Sequence, residues 1–348
     1  MAVIVDKSYC MSAFLSFRYV PNPERSWGKG IRHREIELPP EREKIACQTA
    51  GDIDNCIAEE LRKLDPARDA LLLSGGIDSS ILASYFPKGS CAYTVSNPAK
   101  ASALEIERAE RVCERFGLNH RIVEVTWEDY DQCLDTLMRH DGCPVFANEP
   151  QVYALTKAIR NDGFGRVILG DNADMAFGGM DLMLSRDWSF DEWVERYTFL
   201  KPEKVLAHPA DVREVYERYR TGPDSVNFLK FIDEVFATSS SGAYINAFDC
   251  LGMQYLDPYA HMKMKEPLDL ERVRGGESKY LLRELYRIKF PGFEVPEKIA
   301  MARAVDFWLR EWKGPVREEF LPNCAEGLTG EQKFLLYSLE RFLNIMEL

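Results

Sequence analysis

From position 74 to 80 the chain reads Ser-Gly-Gly-Ile-Asp-Ser-Ser. Two glycines, three hydroxyls and one carboxylate in seven residues could form an anion cradle. Gly75 and Gly76 permit close backbone approach and positive φ. Ser74, Ser79 and Ser80 add hydroxyl donors. A helix beginning here would offer unpaired N–H groups and its positive dipole end, which together suit a phosphate. Asp78 would repel a bare phosphate, but it fits if a divalent cation such as Mg2+ bridges carboxylate and phosphate oxygens. The GxxxxGK[ST] pattern is absent, so this is a phosphate loop of another kind.

The flanking residues show how such a loop would be held. "DALLLS" before it reads as a buried strand, and "SSILASYF" starts a helix. Alternation continues with strands at 91–96, 120–126 and 166–171. Between them lie helices at 103–117, over "YDQCLDTLMRH" and over "QVYALTKAIRNDG". Residues 50–64 carry apolar positions at helical spacing, with Asp52 or Asp54 as the expected cap. Apolar strands alternating with helices imply an α/β fold with a doubly wound parallel sheet. In such sheets ligands bind outside the carboxyl ends of the strands, where the 74–80 turn would sit. Three segments are expected: a strand-and-loop region at 1–44, an α/β core at 45–180, and a mainly helical region at 181–348.

Composition narrows the partners. The 348 residues carry a net charge of −12, with 46% hydrophobic residues and no long basic run. That balance suits a sizeable core and argues against non-specific nucleic-acid binding. No apolar run approaches bilayer length and no signal peptide is legible, so a cytoplasmic protein is expected, without a membrane partner. The nine cysteines form no CxxC pair, which fits reduced thiols used mainly as small apolar filler.

Strand, SGGxDS and helix together resemble the PP-loop of the ATP pyrophosphatase superfamily, whose members cleave ATP between the α and β phosphates. "VILGDNADMAFGGM" (167–180) resembles the asparagine synthetase pattern "LSGEGADELFGGY". The resemblance implies Asp78 and Asp174 as magnesium ligands. It also implies contact with ATP by Ser74, Gly75, Gly76, Asp78, Ser79, Gly170 and Asp171. "GESKYLLRELYRIKFPGFEVPEKIAMARAVDFW" (276–308) resembles the synthetase stretch with two functional lysines. Lys279 and Lys298 fall on those positions, the first on ATP phosphates and the second on charge that develops during reaction. "LSFRYVPNPERSWGKGI" resembles the linker that closes the family's glutaminase domain.

The resemblance breaks in two places. The family's glutamine-hydrolysing cysteine directly follows the initiator methionine, whereas Ala2 follows Met1 here. The nitrogen is therefore expected from free ammonia, an amine, or a separate glutaminase or amine-carrying partner. On the acceptor side, "DCLGMQYLDP" (249–258) stands where the family has "GVEARVPFLD", an alignment that hangs on Leu256-Asp257. Asp249, Cys250 and Tyr255, with Tyr244 nearby, are the substrate-side candidates. The expected activity is an AMP-forming ligase that adenylates a small carboxylic acid with ATP and Mg2+ and passes it to ammonia or an amine. The alternatives are a PP-loop enzyme of sulfur or nitrogen transfer to another acceptor, or a non-catalytic nucleotide-binding subunit.

Overall fold

The computed structural model describes residues 3–348. Ala2, on which the expectation about glutamine rests, lies outside them. Five strands form the central sheet: β1 (Asp69–Leu72), β2 (Cys91–Ser96), β3 (Asn119–Glu124), β4 (Arg166–Ile168) and β5 (Gln254–Leu256). Their order is β3-β2-β1-β4-β5 and every pairing is parallel. Strand order reverses between β1 and β4, which makes the crevice between their carboxyl ends the topological switch point of a doubly wound sheet. At the opposite end, Asp69 and Arg166 open the two strands in register. The Arg166 guanidinium donates to both Asp69 oxygens, at 2.8 and 2.5 Å. A bidentate ion pair with a buried carboxylate resists slippage of the pair that carries the crevice.

The helices that matter for the site are α1 (Lys7–Phe17), α2 (Ala50–Glu60), α3 (Ile77–Ala83), α4 (Lys100–Phe116), α5 (Trp127–Asp141), α6 (Asn148–Asn161), α7 (Ala173–Ala176), α8 (Ala237–Cys250), α9 (Tyr280–Lys289) and α10 (Gly330–Ile345). α4 and α6 pack on β2, and α8 lies across α5 and α6. α4 ends where Gly117 turns left-handed at φ 66°, a stop that glycine takes without a Cβ penalty. A π-helical segment, Ile232–Phe236, runs directly into α8. No helix among the described residues is long and apolar enough to cross a membrane. All nine cysteines are free thiols.

Three expectations are corrected. The first segment is not strand and loop alone, because α1 occupies 7–17. Its residues Tyr9 to Phe17 are all buried, so no polar face betrays a helical period. Neither Asp52 nor Asp54 caps α2. Thr49 does, its hydroxyl accepting from Asp52 N–H while the Asp52 carboxylate accepts from Thr49 N–H in a reciprocal capping box. The helix-rich second half also returns to the core, contributing β5 to the sheet and Met262–Met264 to a parallel pair with Ile45–Cys47.

Candidate active site

The loop leaving β1 turns at Gly75, whose φ is +69°. A Cβ there would lie 2.4 Å from Arg108 Cβ and 2.7 Å from the Ala109 backbone nitrogen, so only glycine lets the loop pass against α4. Ser79 Oγ accepts the Ser74 N–H at 3.2 Å and lies 3.1 Å from Ser74 Oγ, which closes the loop onto the first turn of α3. Asp78 sits in that first turn. Across the crevice, the loop after β4 brings Gly170 against Asp78 Cβ and the Tyr259 ring. The Tyr259 hydroxyl donates to the Asp78 carbonyl at 3.0 Å. The two strand-end loops are thereby fixed to one another.

Four charged groups from four chain segments meet between these loops. Lys279 Nζ lies 2.5 Å from Asp78 Oδ2 and also pairs with Asp174 Oδ1. Lys298 Nζ lies 2.8 Å from Asp174 Oδ2 and donates to the Gly179 carbonyl. Lys279 is 6% exposed and takes a left-handed backbone, φ 54°, at the start of α9. A non-glycine residue in that region is strained, and such strain persists where surrounding structure over-determines it. Gly178 and Gly179 make the packing feasible: a Cβ on Gly179 would lie 2.2 Å from both Asp174 Oδ1 and Lys279 Cε. Lys298 itself lies in an irregular segment moored at both sides. Arg108 donates to the Glu297 carbonyl at 2.7 Å and Asn97 to the Ala302 carbonyl at 2.8 Å.

The electrostatics follow from this arrangement. Burial pushes the Asp78 carboxyl above its ordinary value, Lys279 opposes that shift, and Asp174 adds to it. Burial would also raise Asp174, but the ammoniums of Lys279 and Lys298 outweigh it and hold the carboxyl below the ordinary range. For Lys279 the desolvation that favours the neutral amine is overcome by the two carboxylates, so its pKa is raised and it stays charged.

Two adjoining cavities flank this cluster, of about 90 and 200 Å3, sharing Ser74, Asp78, Glu105, Asp174 and Ile299. The first is lined by Lys279, Lys298 and Arg108. The second runs along the carboxyl ends of β1, β2 and β4 past Val95, Gln151, Asp171 and Tyr244. Asp171 faces Ser240 and Ser241 of α8 at 3.4 and 3.3 Å. Burial, with Asp257 and Asp174 nearby, pushes its carboxyl up to about 7. Asp257 follows β5 and accepts from Asn172 N–H at 2.7 Å and Asn172 Nδ2 at 3.0 Å. Burial raises it to about 6.

A model of the asparagine synthase family matches residues 54–240. The chain belongs to that family. The match covers the loop after β1, the loop after β4 and the first turn of α8, and the sheet is the doubly wound α/β type expected of PP-loop ATP-using proteins. Among solved structures, an NH3-dependent NAD synthetase from Campylobacter jejuni in complex with nitrate is 20% identical (TM-score 0.24), covering 37% of this chain and 58% of that one. A U34-tRNA thiolase from Methanococcus maripaludis is 16% identical (TM-score 0.28; 72% and 82%). An NMN synthetase from Francisella tularensis is 8% identical (TM-score 0.27; 72% and 96%). The chain thus spans less than two thirds of the length of the NAD synthetase. No curated protein matches the chain.

Of the family positions read from the sequence, the fold brings Ser74, Gly75, Gly76, Asp78, Ser79, Gly170, Asp171, Asp174, Lys279 and Lys298 to one crevice. It does not bring Asp249, Cys250 or Tyr255 there. Asp249 and Cys250 end α8 before β5 begins, at the amino end of the sheet, where Asp249 pairs with Arg34 and Cys250 approaches the Thr136 carbonyl. Tyr255 lies within the edge strand and stacks on Phe248 at 5.1 Å. The residue of that stretch that reaches the crevice is Asp257, one step past the strand's carboxyl end. Glu105 was also missed. It is an acid on the buried stripe of α4, beside Ser102, Ala109 and Val112, and that breach of the apolar pattern was its signal. Burial raises it to about 7, against the pull of the Ala302 N–H.

Proposed function

We propose that the protein is an ATP-dependent, AMP-forming carbon–nitrogen ligase that adenylates a small carboxylic acid and transfers the acyl group to ammonia or an amine. The observation that carries this reading is the convergence of Asp78, Asp174, Lys279 and Lys298 on the glycine-rich loop at the switch point. A carboxylate oxygen attacks the α-phosphorus of ATP, the α–β bridge bond breaks, and pyrophosphate leaves. The amine nitrogen then attacks the acyl carbon, AMP departs with the bond electrons, and the amine proton passes to a base.

The loop amides after Ser74 and the first turn of α3 suit the departing phosphates. Lys279 and Lys298 provide fixed positive charge where negative charge grows. Asp78 and Asp174 fit a magnesium ion. The two carboxylates already share one cationic group, the Lys279 ammonium, and Asp78 Oδ1 is buried without a hydrogen-bond partner. Among the described residues no three acids, histidines or cysteines form a cage, which suits an ion that takes its remaining ligands from phosphate and water. When bound, the ion would neutralise charge on the phosphates. Asp171 is the base this reading favours. It lines the cleft beyond Asp174, and burial beside Asp257 and Asp174 raises its carboxyl to about 7, which suits proton acceptance.

Incubation with ATP, Mg2+, ammonium and a panel of carboxylic acids, followed by mass spectrometry, tests the proposal. AMP, pyrophosphate and an amide are expected in equal amounts. Stoichiometric ADP and phosphate would overturn it.

A further inference from the structure

A third cavity, of about 320 Å3, adjoins the crevice across the Gly178–Gly179 turn. A Cβ on Gly179 would point into the charged cluster, whereas one on Gly178 would lie 2.6 Å from Leu268 Cδ1, in the wall of this cavity. Asn172, Asp174 and Tyr259 line it as well. Asp174 also lines both cavities that flank the cluster, and the Tyr259 hydroxyl donates to the Asp78 carbonyl. The third cavity therefore shares its inner end with the charges of the candidate site.

Its walls are apolar and within reach of a guest. Leu38, Met175, Met180, Leu229, Met264 and Leu268 line it and are each only half-buried. Three of the six are methionines, whose flexible thioethers adapt to irregular shapes. Met175 stands where the "LSGEGADELFGGY" pattern has a glutamate, so this wall carries an apolar group in place of a charge. The rim is polar but balanced, with Lys44, Lys263 and Lys265 set against Glu41, Asp233 and Glu266. Glu41 lies 3.5 Å from Lys44 and 3.1 Å from Lys263, and Lys265 donates to Gln48 Oε1 at 3.1 Å. Ile232 and Asp233 enter from the π-helical segment, an irregularity that recurs at functional sites. The volume lies at the lower end of the roughly 300–1,000 Å3 of small-molecule pockets. The charged end of a guest is decided at the inner end. Asp174 is already held by two ammoniums and has little attraction left for a third, whereas the Lys298 side chain, 35% exposed, can meet a carboxylate.

Resting on the ligase reading above, we propose that this cavity holds the body of the acid substrate, an apolar monocarboxylic acid of medium length, with its carboxylate toward Lys298. Calorimetric titration of the full chain with butanoate, hexanoate and octanoate tests it, in the presence of Mg2+ and α,β-methylene-ATP, which cannot release pyrophosphate. Affinity should rise about fourfold per buried methylene, and L-aspartate and hexylamine should bind at least tenfold more weakly than hexanoate. Leu268→Asp puts a charge into the apolar wall, and Ala260→Leu takes up space in the cavity without touching the charged cluster. Each should weaken octanoate binding tenfold or more. The proposal is overturned if none of the alkanoates binds saturably, if affinity is flat with chain length, if L-aspartate or hexylamine binds as well as hexanoate, or if the folded variants bind octanoate as wild type does. Should Leu268→Asp fail to fold, Ala260→Leu alone decides. Repeating the series with ATP and ammonium, and following AMP by mass spectrometry, separates the two readings. AMP formed only with polar acids removes this site and leaves the ligase, whereas chain-length-dependent binding with no AMP from any acid removes the ligase and leaves this site.

Discussion

Gly179→Ala is the sharpest probe of the charged cluster, because Gly179 has no positive φ to lose and the whole effect is steric. The added Cβ would fall 2.2 Å from Asp174 Oδ1 and 2.2 Å from Lys279 Cε, while real Cβ contacts essentially never go below 3.0 Å. One or both side chains must therefore move by about 0.8 Å. Lys279 has little room to do so, being buried and held between two carboxylates. Overpacking of this size costs about 1–3 kcal/mol of stability. Misplacing a charge by close to 1 Å costs about 10²-fold in rate, or about 2.7 kcal/mol in the barrier. Gly178→Ala is the control. Its φ of +74° makes alanine strained there, and its Cβ would meet Leu268, a flexible apolar side chain away from the reacting charges. Both variants should melt earlier, but only Gly179→Ala should lose two orders of magnitude in pyrophosphate release with the acid that supports wild-type turnover. A folded Gly179→Ala protein working within threefold of wild type would refute the idea that this glycine seats Lys279 against Asp174.

Asp78→Asn and Asp174→Asn should each abolish turnover while the circular dichroism spectrum stays native, and near-normal turnover of either at saturating Mg2+ would remove that residue as a ligand. Lys298→Ala should bind ATP within a few-fold of wild type but lose about 10²–10³ in single-turnover rate; Lys298→Arg should not restore it, because the planar guanidinium places its charge differently. Stability should fall as pH rises from about 4 to about 7. Asp171, Asp257 and Glu105 have folded pKa values raised above their ordinary ones, so the folded state holds more protons in that window. Asp171→Asn should flatten part of this slope in denaturant titrations, and it should also erase any rise in rate through pH 7.

The two loops that meet at the crevice were legible because they depend on local grammar. A strand, two glycines and an acid in a helix's first turn identify the 74–80 loop, and the 170–179 loop repeats the logic. The substrate-side candidates do not reach the crevice, for a geometric reason. An alignment hung on Leu256-Asp257 directs attention to the residues before it, yet a parallel strand delivers its ligand-side groups after its carboxyl end. Asp249 and Cys250 thus lie a strand's length from the crevice, and the anchor residue Asp257 is the one that arrives. α1 escaped notice because it is buried on every side, and β5 because three residues carry too little alternation to register.

β5 also bears on how the molecule is made. The crevice opens between β1 and β4, but β4 has β1 on one side and, on the other, a strand some ninety residues further along the chain. Until Gln254–Leu256 is synthesised and docked, β4 presents a bare edge of unpaired amides and carbonyls, the kind of surface that recruits foreign strands. Lys279 and Lys298 come later still. Acquisition of phosphate chemistry is therefore a late step of folding, governed by long-range closure rather than by local helices. A chain ending before residue 254 would therefore be both aggregation-prone and without its charged cluster, whereas one ending between residues 257 and 278 would cover the β4 edge and still lack both lysines.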